Sequence, residues 1–394
     1  MNLKQFSILI VLVIVLGGAA LMVQHRRENS WSNSSAVAGK KLLGDFQVNA
    51  VAQIRIQQGA DELNLVKTND LWRVAECDNY PADFSRISQF LLKLRDLKIV
   101  QAEQVGASQW PRLDLAAGAK TNPATVVEFR GDDEKLIRTL WLGKNHLHEN
   151  NSSSAENSGD QGWPDGRYVM TSTNSDTVDV ISDTLSEAVP QAAQWLDKTF
   201  FKVEKPETIS VTFPQATNSW ELTRTNMSAN WKLADAKPGE KLDATKSSEL
   251  SDALASPNLT DVVPNPKAAQ TGLDQPKKIE IKTFDGFDYL LKIGDETNDN
   301  YYLTVNVTGS FPKTRTPGKN EKPADNIKLD KEFQTQLQTR EAKLAQEQKF
   351  EHWVYLVPTW TINPLLKERS QLLIKKKVEP KAESKQAKMI APKK

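Results

Sequence analysis

The sequence predicts an α+β fold in which one unit occurs twice in tandem, each copy a mostly antiparallel sheet with helices on one face, behind an N-terminal transmembrane helix. Three observations carry this reading: an apolar run at residues 6–23, short alternating strand patterns bounded by turn residues, and an ordered set of features that recurs about 150–160 residues later. Helical patterns are too few to separate every strand, which argues against a βαβ succession and a parallel sheet. The expected division is an anchor at 1–27, a linker at 28–44, a first unit at 45–202, a second at 206–373 with an insertion at 308–350, and a basic disordered tail at 374–394.

The anchor comes first. Residues 6–23 are apolar throughout apart from Ser7, with Lys4 before them and His25, Arg26 and Arg27 after. At about 1.5 Å per residue the run measures about 27 Å, enough to cross a hydrocarbon core. It is longer than the core of a secretory signal peptide, which favours an uncleaved anchor, although Gly17, Gly18, Ala19 and Ala20 offer small residues to a signal peptidase. Lys4 against Arg26 and Arg27 leaves the charge rule slightly adverse, yet long C-terminal domains translocate regardless, so the bulk is expected outside the cytoplasm.

Each unit opens with a short alternating strand, Ile54-Arg-Ile56 and Ile209-Ser-Val211. A hairpin follows, through Thr68-Asn69 to Trp72 in the first copy and through Thr225-Asn226 to Trp231 in the second, with each indole expected in the core. Then comes Tyr80-Pro-Ala-Asp83 and a helix marked by Phe84, Ile87, Leu91, Leu94 and Leu97, for which Asp83 is the N-cap; Asp243, Leu250 and Leu254 repeat this more weakly. Leu113-Asp114 and Pro123 correspond to Gly272-Leu-Asp-Gln-Pro276, which pairs Asp114 with Asp274 as turn or capping residues. Two strands end in Leu140-Trp-Leu-Gly143 and Leu291-Lys-Ile-Gly294, read as Leu-Gly and Ile-Gly turns before Tyr168-Val-Met170 and Tyr301-Tyr-Leu303. A last strand and helix close each unit, the helices expected at 183–198 and 363–373. The insertion reads as a Pro/Lys-rich loop at 311–325 and a charged helix at 329–348, solvated or partner-binding.

At 394 residues with 39% hydrophobic and 26% charged content, the chain has the composition of an ordinary globular protein of two or three domains. The net charge of +1 conceals an asymmetry: residues 366–394 hold ten Lys and Arg against Glu368, Glu379 and Glu383, a local +7 that leaves the remainder at −6. A mildly acidic body argues against a nucleic-acid-binding fold, and no nucleic-acid partner is expected; only the tail could serve an anionic partner. The single cysteine, Cys77, excludes an intrachain disulfide and is expected to be a small half-buried residue ending a strand, with an intermolecular disulfide the alternative.

The search for chemistry yields no catalytic, cofactor-binding or metal residue and no cofactor. His146-x-His148-Glu149 offers metal ligands, but in an Asn/Ser/Gly-rich stretch unsuited to a rigid surround. The residues from Asp295 to Asn300 lack the Gly and Glu of a calcium loop and read as a hairpin turn. Nucleophile elbows and phosphate-cradling glycine loops are absent.

The anchor, the Trp-ended hairpin, Pro81-Ala-Asp83, Gly272-Leu-Asp-Gln-Pro276 and the Gly143 and Gly294 positions together resemble the bacterial family called domain of unknown function 4340, over most of 45–373. That resemblance implies a single-pass protein of the bacterial inner membrane, its bulk in the periplasm, often beside an ABC-type complex similar to gliding-motility and exporter systems. The expected function is therefore a non-enzymatic accessory or scaffold protein with the membrane and an ABC-type complex as partners. The alternatives are an envelope ligand-binding module using a cleft between the repeats, with Trp163, Trp220 and Trp360 as candidate lining, and a hydrolase. The sequence departs from the family in lacking a Gly before Leu113-Asp114 and in carrying the insertion.

Overall fold

The computed structural model describes residues 37–148, 163–172, 176–318 and 321–374. The expected membrane span, most of the linker and nearly all of the basic tail lie outside these residues. Among the described residues, no helix is long and apolar enough to cross a membrane. The chain divides into two compact units between Lys198 and Thr199.

The first unit contains β1 (Gln53–Gln58), β2 (Asp61–Thr68), β3 (Leu71–Val74), β4 (Tyr80–Pro81), α1 (Phe84–Asp96), β5 (Ile99–Gln104), β6 (Thr125–Arg130), β7 (Leu136–Leu147), β8 (Pro164–Met170) and β9 (Thr177–Ile181). Its sheet runs β4-β3-β2-β1-β6-β7-β8-β9-β5, antiparallel at every pairing. The second unit contains β10 (Pro206–Thr212), β11 (Trp220–Thr223), β12 (Lys232–Leu233), α2 (Ala244–Ser248), β13 (Asp261–Val263), α3 (Ala268–Thr271), β14 (Lys277–Thr283), β15 (Phe287–Thr297), β16 (Asn300–Gly309), α4 (Pro323–Glu347), β17 (Val354–Pro358), α5 (Thr359–Ile362) and α6 (Arg369–Leu372). Its order is β12-β11-β10-β14-β15-β16-β17-β13, again antiparallel throughout. Apart from the two-residue β4, the two orders are the same, strand for strand.

The alternation read in the sequence sets one face of each sheet. Ile54, Ile56, Val127, Phe129, Leu140, Leu142 and Val169 are buried in the first unit, and α1 packs over them, with Phe90 6.4 Å from Phe129. Asp83 caps α1 by accepting from Arg86 N at 3.1 Å, and Ile87, Phe90, Leu91 and Leu94 are its buried side; Phe84 begins the helix but faces solvent. Asp243 caps α2 by accepting from Thr245 N at 3.0 Å, but α2 has only five residues, and Leu250 and Leu254 fill in beyond it. Trp72 and Trp231 are both in the core, and Cys77 is buried just after β3.

The β2–β3 connection is a two-residue turn with Asn69 and Asp70 at φ 51° and 61°, the left-handed pair that a tight hairpin requires. Its counterpart is not tight: residues 224–231 form a longer loop in which the Arg224 guanidinium lies 4.5 Å from the Trp231 ring centroid.

Several expectations are corrected. No α-helix forms over 183–198, where only Ala192–Gln194 makes a 3-10 turn; Leu185 takes φ 45° and Pro190 removes a backbone donor. The apolar residues there still reach the core, Trp195 being fully buried, and Leu196 bridges to Ala82. At 363–373 only the four-residue α6 forms, and Leu373 bridges to Leu242. Each unit thus closes by pairing its last residues with those just before the capping aspartate. The insertion helix begins at Pro323, earlier than expected.

Nor is one face of the first sheet left bare. Strand alternation sends Trp141 and Met170 to the side opposite Leu142 and Val169. There Val105, Leu115, Met170 and Val178 form a second small core, roofed by the 3-10 segment Ala107–Leu113.

Candidate functional site

The site is built on a bulge in β7. Leu142 pairs with Val169 and Asn145 with Arg167, so Gly143 and Lys144 together oppose the single residue Tyr168. Gly143 is required there because the end of the Ala107–Leu113 segment crosses it: a Cβ at Gly143 would stand 2.2 Å from Leu113 O. The Leu-Gly motif is therefore no turn but the middle of a long strand.

The second unit repeats this arrangement. Ile293 pairs with Leu303 and Glu296 with Tyr301, leaving Gly294 and Asp295 in the bulge, and a Cβ at Gly294 would stand 2.0 Å from Thr271 O. This fixes the equivalence as Leu113 with Thr271 and Asp114 with Gly272. Both Asp114 and Gly272 are left-handed, at φ 55° and 69°, and end their helical segments. Asp114 thus matches Gly272 and not Asp274, and the glycine missing from the family pattern is replaced by an aspartate, which tolerates that backbone region. By the same register Tyr168 corresponds to Tyr302, one residue later than the sequence suggested.

Beside the first bulge is a cavity of about 340 Å³ lined by Gln58, Asp114, Asn122, Lys144, Asn145 and Arg167, among others. Arg167 is half-buried. Its Nε donates to Gly143 O at 2.7 Å, and its Nη1 donates to Thr184 O at 3.0 Å and Leu185 O at 3.3 Å. None of its hydrogen bonds among the described residues is to a carboxylate. Burial lowers the guanidinium below its ordinary pKa, and Asp114 and Glu187 oppose this only through space. Lys144 is exposed, with its Nζ 6.0 Å from the Tyr168 ring centroid, and makes no ion pair among the described residues.

The corresponding bulge of the second unit has different chemistry. Tyr301 stands in place of Arg167 and hydrogen-bonds Asn363 Oδ1 at 3.0 Å, while Asp295 and Glu296 replace Lys144 and Asn145. The glycine that admits the crossing carbonyl is common to both copies; the charge around it is not.

On β7 beyond the bulge, the two histidines singled out in the sequence share one carboxylate. His146 Nδ1 lies 2.6 Å from Asp165 Oδ1 and His148 Nδ1 3.3 Å from Asp165 Oδ2. These contacts, His146 first, hold the Asp165 carboxyl below its usual range. His148 stacks on Trp163 at 5.1 Å, and His146 lies 5.6 Å from the Tyr168 ring. Among the described residues, no group of three His, Cys, Asp or Glu side chains is placed to hold a metal ion. Glu149 lies outside the described residues.

Of the three tryptophans considered as ligand platforms, Trp163 and Trp360 are exposed, whereas Trp220 is buried with its Nε1 donating to Lys367 O at 2.7 Å. Of the stretch read as a hairpin turn from Asp295 to Asn300, Asp295 to Thr297 complete β15 and only Asn298 and Asp299, at φ 45° and 60°, form the turn. Sequence reading missed Arg167 and Lys144. The signal for them was the exchange of Lys-Asn for Asp-Glu directly after the shared glycine.

The fold and site define a protein of two like-ordered antiparallel sheets, each bulged at a glycine beneath a crossing segment. A family model described as a domain of unknown function, number 4340, matches residues 72–276, just over half of the 394-residue chain, and the chain belongs to that family. Searches of curated proteins and of solved structures return no match.

Proposed function

We propose that this chain is a non-enzymatic accessory or scaffold protein, anchored in the bacterial inner membrane by residues 6–23, with both sheets on the periplasmic side of an ABC-type complex. One observation supports a docking role above others. The second copy carries between β16 and β17 the 25-residue helix α4, which its own unit grips at the C-terminal end. There Glu347 accepts from Tyr289 OH at 2.7 Å and Lys202 N at 3.0 Å, Lys343 reaches Glu204 at 2.8 Å, and Leu344 packs over Gly309. Further toward its N-terminus, Leu329, Phe333, Leu337 and Arg340 are only half-buried and Ile327 is 79% exposed. A long helix inserted between β16 and β17, which pair with each other directly, is suited to a protein partner.

The test is affinity capture of the tagged, membrane-embedded chain after mild crosslinking. Reproducible recovery of ABC-type membrane subunits is expected. Recovery of the chain alone, with alkaline phosphatase fused after Lys394 inactive, contradicts both the partner and the orientation.

The second reading, an envelope ligand-binding module, is favoured by a different observation, the cavity beside Arg167 in the first unit.

A further inference from the structure

We propose that the cavity beside the β7 bulge binds a small hydroxylated carboxylate, such as a sugar acid, through Arg167 and Lys144. This deepens the ligand-binding reading and does not depend on the accessory role.

Two cations, Arg167 and Lys144, and one carboxylate, Asp114, line the cavity; among the described residues Arg167 hydrogen-bonds backbone carbonyls and Lys144 lies over the Tyr168 ring. A half-buried guanidinium is desolvated at a cost that carbonyl oxygens offset only in part. Arg167 commits Nε and Nη1 to three backbone carbonyls, which fix the plane of the group, and Nη2 has no hydrogen bond among the described residues. A guanidinium fixed by its own strand is already organised for an oxyanion.

Asp114 sets the class of anion. Its charge leaves the lining at net +1, which matches a monoanionic carboxylate and penalises a phosphate dianion. The remaining polar groups, Gln58, Asn122 and Asn145, are carboxamides that both donate and accept, the chemistry that recognises hydroxyl groups. A volume of about 340 Å³ is at the small end for ligand sites and suits one sugar-sized residue.

The duplicated unit supplies an internal control. At the same bulge the second copy keeps the glycine and the crossing segment but has Asp295, Glu296 and Tyr301, so the cations are not needed to build the bulge. They are a property of the first copy alone.

The experiment is isothermal titration of the full chain in nanodiscs with sodium glucuronate, glucose and glucose 6-phosphate. Glucuronate is expected to bind saturably and at least about tenfold more tightly than the other two. Lys144→Gln should weaken glucuronate about tenfold with an unchanged unfolding midpoint, and Asp114→Asn should narrow the preference over the phosphate. Arg167→Gln is avoided because its hydrogen bonds to β7 and to residues 184–185 are structural. No saturable heat with glucuronate, equal binding of glucose or the phosphate, or undiminished binding by Lys144→Gln overturns the proposal. Co-purification of membrane subunits is unaffected by any of these results.

Discussion

Single atoms decide the geometry of both bulges. At Gly143 and Gly294 any side chain would collide with a backbone carbonyl, 2.2 Å and 2.0 Å from the added Cβ, and a carbonyl held in a packed segment has little room to retreat. Gly143→Ala is expected to destabilise the first unit by about 3 kcal/mol, and Gly294→Ala the second by a similar amount, measured by urea unfolding. Asp179, on β9, shows a different residue-scale conflict. Burial pushes its carboxyl up to about 6, against about 3.9 in an unfolded chain. Between those values the folded state holds a proton that the unfolded state has lost, so stability falls as pH rises from about 4 to about 6 and stays lower above that. Asp179→Asn should therefore stabilise by about 1–2 kcal/mol at pH 7.5, allowing for partial solvent exposure, and change little at pH 4. A gain of equal size at both pH values would show that titration is not the cause.

Helices show where sequence reading succeeds and where it fails. The signal for α1 is local: Asp83 caps it, and Ile87, Leu91 and Leu94 recur at helical spacing on its buried side. Residues 183–198 carry apolar side chains too, but Leu185, Ala188, Trp195 and Leu196 enter the core from an irregular path interrupted by Pro190, and apolar spacing alone does not reveal that. The succession of strands was legible because two copies of one pattern constrain each other, but their order in the sheet was not read from the sequence. The cavity was not, because Gln58, Asp114, Lys144 and Arg167 come from separate segments brought together by a bulge. The insertion helix was legible as a charged helix, but its attachment was not, since Glu347 finds Tyr289 only in the fold. Burial raises the Glu347 carboxyl even though Tyr289 and the Lys202 amide donate to it. Glu347→Ala leaves Lys202 N–H without its acceptor, while Tyr289 OH retains Lys202 O at 3.0 Å, for an expected loss of about 1–3 kcal/mol from the second unit. Hydrogen exchange along α4 should rise in that variant while α1 keeps its protection. Unchanged protection of α4 would show that other contacts hold the helix.

At the scale of the whole molecule, two sheets of one order carry different attachments. The first sheet carries the 13-residue α1 and a cationic cavity; the second carries the five-residue α2 and the long α4. The charge asymmetry read from the sequence is also redistributed. Arg369 is buried and paired with Asp235 and Glu240, and Lys367 with Glu249, so the basic run begins inside the fold. The two sheets are expected to serve different partners, with α4 the protein-docking element of the proposed anchored scaffold. Site-specific photo-crosslinking tests this most directly, with a photoreactive residue placed at exposed Lys331 or Gln338 of α4, and at exposed Leu71 of the first unit, in native membranes. Crosslinks from α4 to an ABC-type membrane subunit, and none from Leu71, are the predicted result; crosslinks from Leu71 alone, or none from α4, would contradict it.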